Sequence, residues 1–130
     1  MAQENVDLLL RACDAWNRSD LDATIEMMTE DFEFRPALVF FDLDSLYCGH
    51  EGWRDFWKVW RDAWETVSVR VERVEDLGDR AYAIVVFEGI GRGSGAPVAM
   101  SFGQLWSFRD GLVERIDVRE PDNSPDLARD

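Results

Sequence analysis

Three side chains in this 130-residue sequence are suited to moving a proton, Asp117, His50 and Tyr47, and each stands close to aromatic residues. Asp117 lies in Glu114-Arg115-Ile116-Asp117-Val118, just after an Asp110-Gly111 pair that reads as a tight hairpin turn. Closing that hairpin regularly predicts Phe108 opposite Val113, Trp106 opposite Arg115 and Gln104 opposite Asp117, with Leu105 and Ile116 on the other face. Two readings follow from that register. In one, the face lines a pocket where Asp117 acts as acid or base, its pKa raised by apolar neighbours and offset by Arg115. In the other, it is the outer sheet surface or a dimer interface laced by an Arg and Asp pair, and Leu105, Ile116 and Val118 face the helices. Tyr47 and His50 flank the turn that opens a helix. A His at a helix N-terminus is held toward its neutral form, which suits a base or a donor; capping the helix is its structural alternative. The Tyr47 hydroxyl can orient a carbonyl or a phenol. Arg35 either presents a cation at a pocket rim or pairs with one of many surface acids.

An apolar wall is predicted beside these groups. Trp53, Trp57, Trp60 and Trp64 recur at spacings of four, three and four in EGWRDFWKVWRDAWE, which stacks the four indoles on one helical stripe. Such a stripe is either thick aromatic core or one wall of a pocket. Trp53 and Trp57, nearest the turn with Tyr47 and His50, are the pair expected to touch a ligand, together with Arg35, Gln104, Phe34 and Phe40. Trp60 and Trp64 are expected to be core.

The elements that must position these groups follow from periodicity. Val6, Leu9, Leu10, Cys13 and Trp16 mark a first helix, and Ser19 or Asp20 caps a second through Met28. Residues 30–36 alternate as a short strand ended by Pro36, and residues 37–44 read as a loop or lid over the core. The Trp helix runs from Gly49 to Glu65 or Thr66. Four strands follow, over 67–77, 80–91, 98–108 and 112–119, separated by Gly78-Asp79, by the loop 91–97 and by Asp110-Gly111. Residues 121–130 are polar and broken by prolines, so one domain over 1–120 with a loose tail is expected. The plan is α+β, with helices on one face of a curved antiparallel sheet whose mouth suits a small ligand.

Composition narrows the partners. Against 14 Lys and Arg stand 27 Asp and Glu, a net charge of −13 that repels nucleic acid and anionic membranes. No stretch approaches a membrane span, and the acidic N-terminal segment does not read as a signal peptide, so the cytoplasm is expected. Cys13 and Cys48 are expected to be reduced thiols, and one His without a Cys cluster argues against a zinc site. The glycines of 91–95 join two strands with no helix after them, which argues against a phosphate loop.

Several segments resemble the SnoaL-like branch of the nuclear-transport-factor-2-like superfamily, across about Val6 to Arg119. They are Ala15-Trp16-Asn17-Arg18-Ser19-Asp20, Asp31-Phe32-Glu33-Phe34-Arg35-Pro36, Tyr47-Cys48-Gly49-His50-Glu51-Gly52-Trp53-Arg54, Gly91-Arg92-Gly93-Ser94-Gly95 and Trp106-Ser107-Phe108-Arg109-Asp110-Gly111-Leu112-Val113. The resemblance implies a cystatin-like cone, an α+β barrel wrapped around three helices. It also implies a homodimer, an apolar aromatic or polycyclic ligand, and cofactor-independent, metal-free acid–base chemistry of the cyclase, isomerase, dehydratase or hydrolase kind. A noncatalytic ligand-binding or dimerisation module of the same fold is the alternative. The SnoaL-like cyclases use an acid on the last strand, to which Asp117 is nearest. Ketosteroid isomerases carry a carboxylate before the proline of the first strand, where this chain has Arg35 and then Pro36, and scytalone dehydratase needs paired histidines where this chain has His50 alone.

Overall fold

A computed structural model describes residues 2–36 and 43–119. Helix α1 (Ala2–Asn17) forms because Leu8, Leu9, Ala12, Ala15 and Trp16 fall on one face, and all five are buried. It stops where Ser19 adopts a left-handed φ of 60°. The Asp20 carboxylate then accepts the Ala23 N–H at 3.1 Å and starts α2 (Leu21–Glu26). Strand β1 (Met28–Arg35) alternates its burial, with Phe32 and Phe34 inward. Strand β2 (Tyr47–Cys48) is a two-residue piece before α3 (Gly49–Ala63), and four longer strands follow: β3 (Trp64–Asp76), β4 (Arg80–Gly91), β5 (Pro97–Arg109) and β6 (Leu112–Arg119).

These strands make one six-stranded sheet in the order β2-β1-β6-β5-β4-β3. The antiparallel expectation needs one correction, because β1 runs parallel to β6 and the sheet is mixed. A local hairpin cannot produce that pairing; α3 and the β3 to β5 meander intervene between the partners. The sheet is an open cone with two edges rather than a closed barrel. At the β3 edge, Asn17 stands in for a missing strand: its amide nitrogen donates to the Val69 carbonyl and its oxygen accepts the Val69 N–H, both at 2.8 Å.

The Trp helix is shorter than its periodicity predicts. Trp64 already has extended geometry (φ −125°, ψ 137°) and belongs to β3, so three of the four indoles share the helix. Its ring still joins the chain of stacked aromatics, 5.6 Å from Trp60 and 4.8 Å from Phe87 between centroids. Register shifts in β3, between Val71 and Arg73, and in the β5–β6 pair bend the sheet around the helices. The concave side holds the core, while Tyr82, Ile84 and Leu105 form a smaller cluster on the convex side. Phe40, residues 37–42 of the expected lid and the tail 121–130 lie outside the described residues.

Candidate functional site

The concave side holds a partly open cavity of about 100 Å³. Its aromatic lining is Trp16 from α1, Phe34 from β1, Trp53, Phe56 and Trp60 from α3, Phe87 and Phe102 from β4 and β5, and Trp106. Apolar periodicity puts those residues inward, and helical spacing gathers Trp53, Phe56 and Trp60 on one face of α3. Among them Phe34 packs edge-on to Trp53, 5.3 Å away at 86°, and tilted to Phe56 at 4.5 Å, while Phe56 stacks on Trp60 at 5.9 Å and on Trp16 at 6.1 Å.

Polar groups in this wall are few. The Trp53 indole N–H donates to the Thr24 hydroxyl at 3.0 Å, and that hydroxyl donates to the Leu21 carbonyl at 2.6 Å. Gln104 accepts the Trp106 indole N–H at 2.9 Å. The Trp16 indole N–H, on a side chain in a residue 9% exposed, has no hydrogen-bond partner. Burial pushes the Cys13 thiol up to about 12, so it lines the cavity as a neutral group. No Asp, Glu, His, Lys or Arg is among the described residues of the lining.

Trp16 is fixed from a second direction. The Arg61 guanidinium lies 4.7 Å from the Trp16 ring centroid and 4.5 Å from that of Trp57, while its two terminal nitrogens donate to Ser19 Oγ and to the Trp16 carbonyl. Partial burial lowers the Arg61 pKa from its ordinary value. The clamp ties α1 to α3 and sets the angle at which Trp16 enters the cavity, with Trp57 4.6 Å from it edge-on.

Of the residues expected at a site, Phe34, Trp53 and Gln104 line the cavity together. Trp57 does not; it is half-buried against Trp16 and Arg61, and Trp60, expected as core alone, lines the cavity instead. The Tyr47 ring is buried 5.5 Å from Phe56, and its hydroxyl accepts the Asp44 N–H at 3.1 Å, closing the turn into β2. His50 Nε2 sits 3.2 Å from the Met28 carbonyl and joins the start of α3 to the start of β1.

Asp117 and Arg35 lie on the convex face. The regular hairpin register fails at one residue: Phe108 opposes Val113 as expected, but Ser107 then opposes Arg115, leaving Glu114 as an extra residue on β6. Beyond that bulge Trp106 faces Ile116, Gln104 faces Val118 and Leu105 faces Asp117. A one-residue slip exchanges the faces, so Ile116 and Val118 line the cavity while Asp117 points away from it. There Arg115 grips the Asp117 carboxylate with two nitrogens at 2.8 and 3.2 Å, and Arg35 stands 3.8 Å from it on the neighbouring strand. The hydrogen bond to Asp117 raises the Arg115 pKa against the cost of desolvation.

Sequence reasoning did not single out Trp16, Thr24, Phe56 or Trp106 as site residues. The inward face of α1 was legible as core, but an indole N–H left without a partner is visible only once the neighbours are in place. Among the described residues no group of three or more His, Cys, Asp or Glu is arranged to hold a metal, and no helix is long and apolar enough to cross a membrane.

An open α+β cone with a small aromatic interior defines a class of fold with a pocket of small-molecule size. The chain belongs to the SnoaL-like domain family, whose model matches residues 9–116. Its fold is shared with TerC, crystallised with polyporic acid (TM-score 0.81, 18% identity, covering 91% of this chain and 92% of that one). It is likewise similar to a protein with a ketosteroid isomerase-like fold from Catenulispora acidiphila, solved with trimethylamine (TM-score 0.76, 16% identity, 85% and 82% covered). A third similar structure is SalBIII, an epoxide hydrolase/cyclase-like enzyme of pyran ring formation in salinomycin (TM-score 0.77, 15% identity, 90% of each chain covered). No curated protein matches the chain by sequence.

Proposed function

We propose that this protein holds a compact aromatic small molecule inside the cone, with the aromatic wall as the binding surface. The observation that carries the reading is the cavity of about 100 Å³ lined, among the described residues, by eight aromatic side chains, in a core where bulky rings would otherwise close-pack. Apolar cavities of this order accept single-ring ligands. Acid–base catalysis by Asp117, His50 and Tyr47 is the weaker alternative, because Asp117 is engaged on the convex face and His50 and Tyr47 are engaged with backbone outside the lining.

Toluene tests the reading. Its binding should raise the melting temperature of the native protein in proportion to the logarithm of its concentration. Ala12→Leu, which adds a side chain into the cavity from α1, should remove that rise while the circular dichroism of the fold is retained. An equal rise in both proteins, or none in the native one, refutes the proposal.

A homodimer is part of the same proposal, formed through the convex face that carries Glu33, Arg35, Arg115 and Asp117 around the Leu105 cluster. Sedimentation velocity showing monomer alone overturns that part. The reducing cytoplasm is the proposed compartment, supported by Cys13 and Cys48 being unpaired thiols.

A further inference from the structure

In the cavity wall Trp16 is held differently from Trp53 and Trp106. The Trp53 indole N–H is tied to Thr24 at 3.0 Å and the Trp106 indole N–H to Gln104 at 2.9 Å, so each of those rings is fixed at its polar edge. The Trp16 indole N–H, without a partner among the described residues, fixes nothing. Its ring meets Trp53, Phe56 and Trp57 at centroid distances of 5.8, 6.1 and 4.6 Å, and ring contacts tolerate offset, tilted and edge-on arrangements alike. The directional restraint on Trp16 comes from Arg61, which does not line the cavity. From α3 its guanidinium lies over the Trp16 and Trp57 rings at 4.7 and 4.5 Å. Its terminal nitrogens donate to Ser19 Oγ at 2.9 Å and to the Trp16 carbonyl at 2.6 Å, so Trp16 is gripped at ring and backbone together. Taking the guanidinium away vacates half-buried space over both rings, into which Trp16 can turn.

We propose that Arg61 sets the size limit of the cavity from outside it. As a positioning residue it holds Trp16 against the other rings, and a ligand broader than one ring enters only by displacing Trp16 against this clamp. The clamp then bounds how strongly the site discriminates by size, because a ligand that needs Trp16 displaced loses at most what Arg61 contributes. The inference rests on the reading of the cone as an aromatic-ligand site and names what determines the largest ligand that site takes.

Toluene and naphthalene, one ring and two fused rings, are the probes, and the ratio of their dissociation constants is followed across variants by calorimetry. Arg61→Met keeps a long aliphatic side chain without the guanidinium and should move the ratio toward naphthalene by about three- to thirtyfold, the range of one cation–π contact from exposed to desolvated sites. A naphthalene affinity that first becomes measurable in the variant counts as that shift. Arg61→Lys keeps the charge but loses the planar fork, so it should move the ratio the same way by less, and it carries the test if the methionine variant does not fold. Trp16→Leu removes the ring on which the clamp acts. It should move the ratio by itself, and in that background Arg61→Met should change the ratio less than twofold. A merely structural role of Arg61 would weaken both ligands alike in either background. If toluene binds the native protein but the ratio stays within twofold in every Arg61 variant that folds, or if Arg61→Met shifts it equally with Trp16 removed, the size-limit inference fails alone. If toluene does not bind the native protein, the cavity reading fails and takes this inference with it.

Discussion

Thr24→Val is the substitution whose cost can be worked most directly from the geometry. Thr24 is 2% exposed and Trp53 5%, and the 3.0 Å bond between them is a buried link between α2 and α3. Valine keeps the shape of threonine but cannot accept the indole N–H or donate to the Leu21 carbonyl, so the Trp53 N–H is left dry and unpaired. An orphaned buried donor costs about 1–3 kcal/mol, and the second lost bond adds to it, so the expected loss of stability is about 2 kcal/mol. Urea denaturation followed by circular dichroism measures it, with an unchanged slope showing that the denatured state is unaffected. The decisive comparison is a double-mutant cycle with Trp53→Phe, which deletes the N–H itself. In that background Thr24→Val should cost less by about 1–2 kcal/mol. Equal costs in the two backgrounds would refute the assignment of the bond as a structural tie beneath the cavity.

The remaining expectations concern titration and reactivity. The Arg109 side chain hydrogen-bonds Asp31 at 2.7 Å and holds its carboxyl below the ordinary carboxylate value. A lowered folded pKa favours the native state above the unfolded value of 3.8 and loses that contribution as pH falls through the folded value. Asp31→Asn should therefore be less stable than the native protein near neutrality and indistinguishable from it in strong acid, by urea titration at each pH. For Cys13 the sign is opposite: burial raises its thiol from 9.0 to about 12, so it is neutral throughout the physiological range and native stability falls above pH 9, where the unfolded thiol ionises first. A thiol-specific disulfide reagent at pH 8 should label the exposed Cys48 quickly and the half-buried, neutral Cys13 much more slowly. Labelling of both at one rate would contradict the burial of Cys13 against the cavity.

Local signals in the sequence were reliable where the chain answers to them locally. The Asp110-Gly111 turn forms as written, with φ of 54° and 78°, and the inward faces of α1 and α3 follow their apolar periodicity. Three features depended on contacts the sequence does not display. The parallel β1–β6 pair joins distant segments, and nothing in either strand's pattern distinguishes a parallel neighbour from an antiparallel one. Trp64 fits the helical stripe by spacing, yet its ring is satisfied equally well by Phe87 from within β3, and pairing with Gly91 takes its backbone into the sheet. The bulge at Glu114 had the largest consequence for the site, since turn chemistry sets a register only as far as the first irregularity. It carried Asp117 and Arg115 to the convex face and brought Ile116 and Val118 to the cavity. Gln104 kept its predicted face because the bulge lies on the opposing strand.

The central claim is that an aromatic ligand enters the cone and meets the rings that line it. Nuclear magnetic resonance tests it most directly, because the six indole N–H groups of this chain give separate signals that report each tryptophan individually. Titration with toluene should move the indole signals of the lining residues Trp16, Trp53, Trp60 and Trp106 through the ring current of the ligand, while Asp117 and Arg115 on the convex face stay unmoved. Shifts concentrated at Asp117 and Arg115 with the Trp16 indole unchanged would contradict the account.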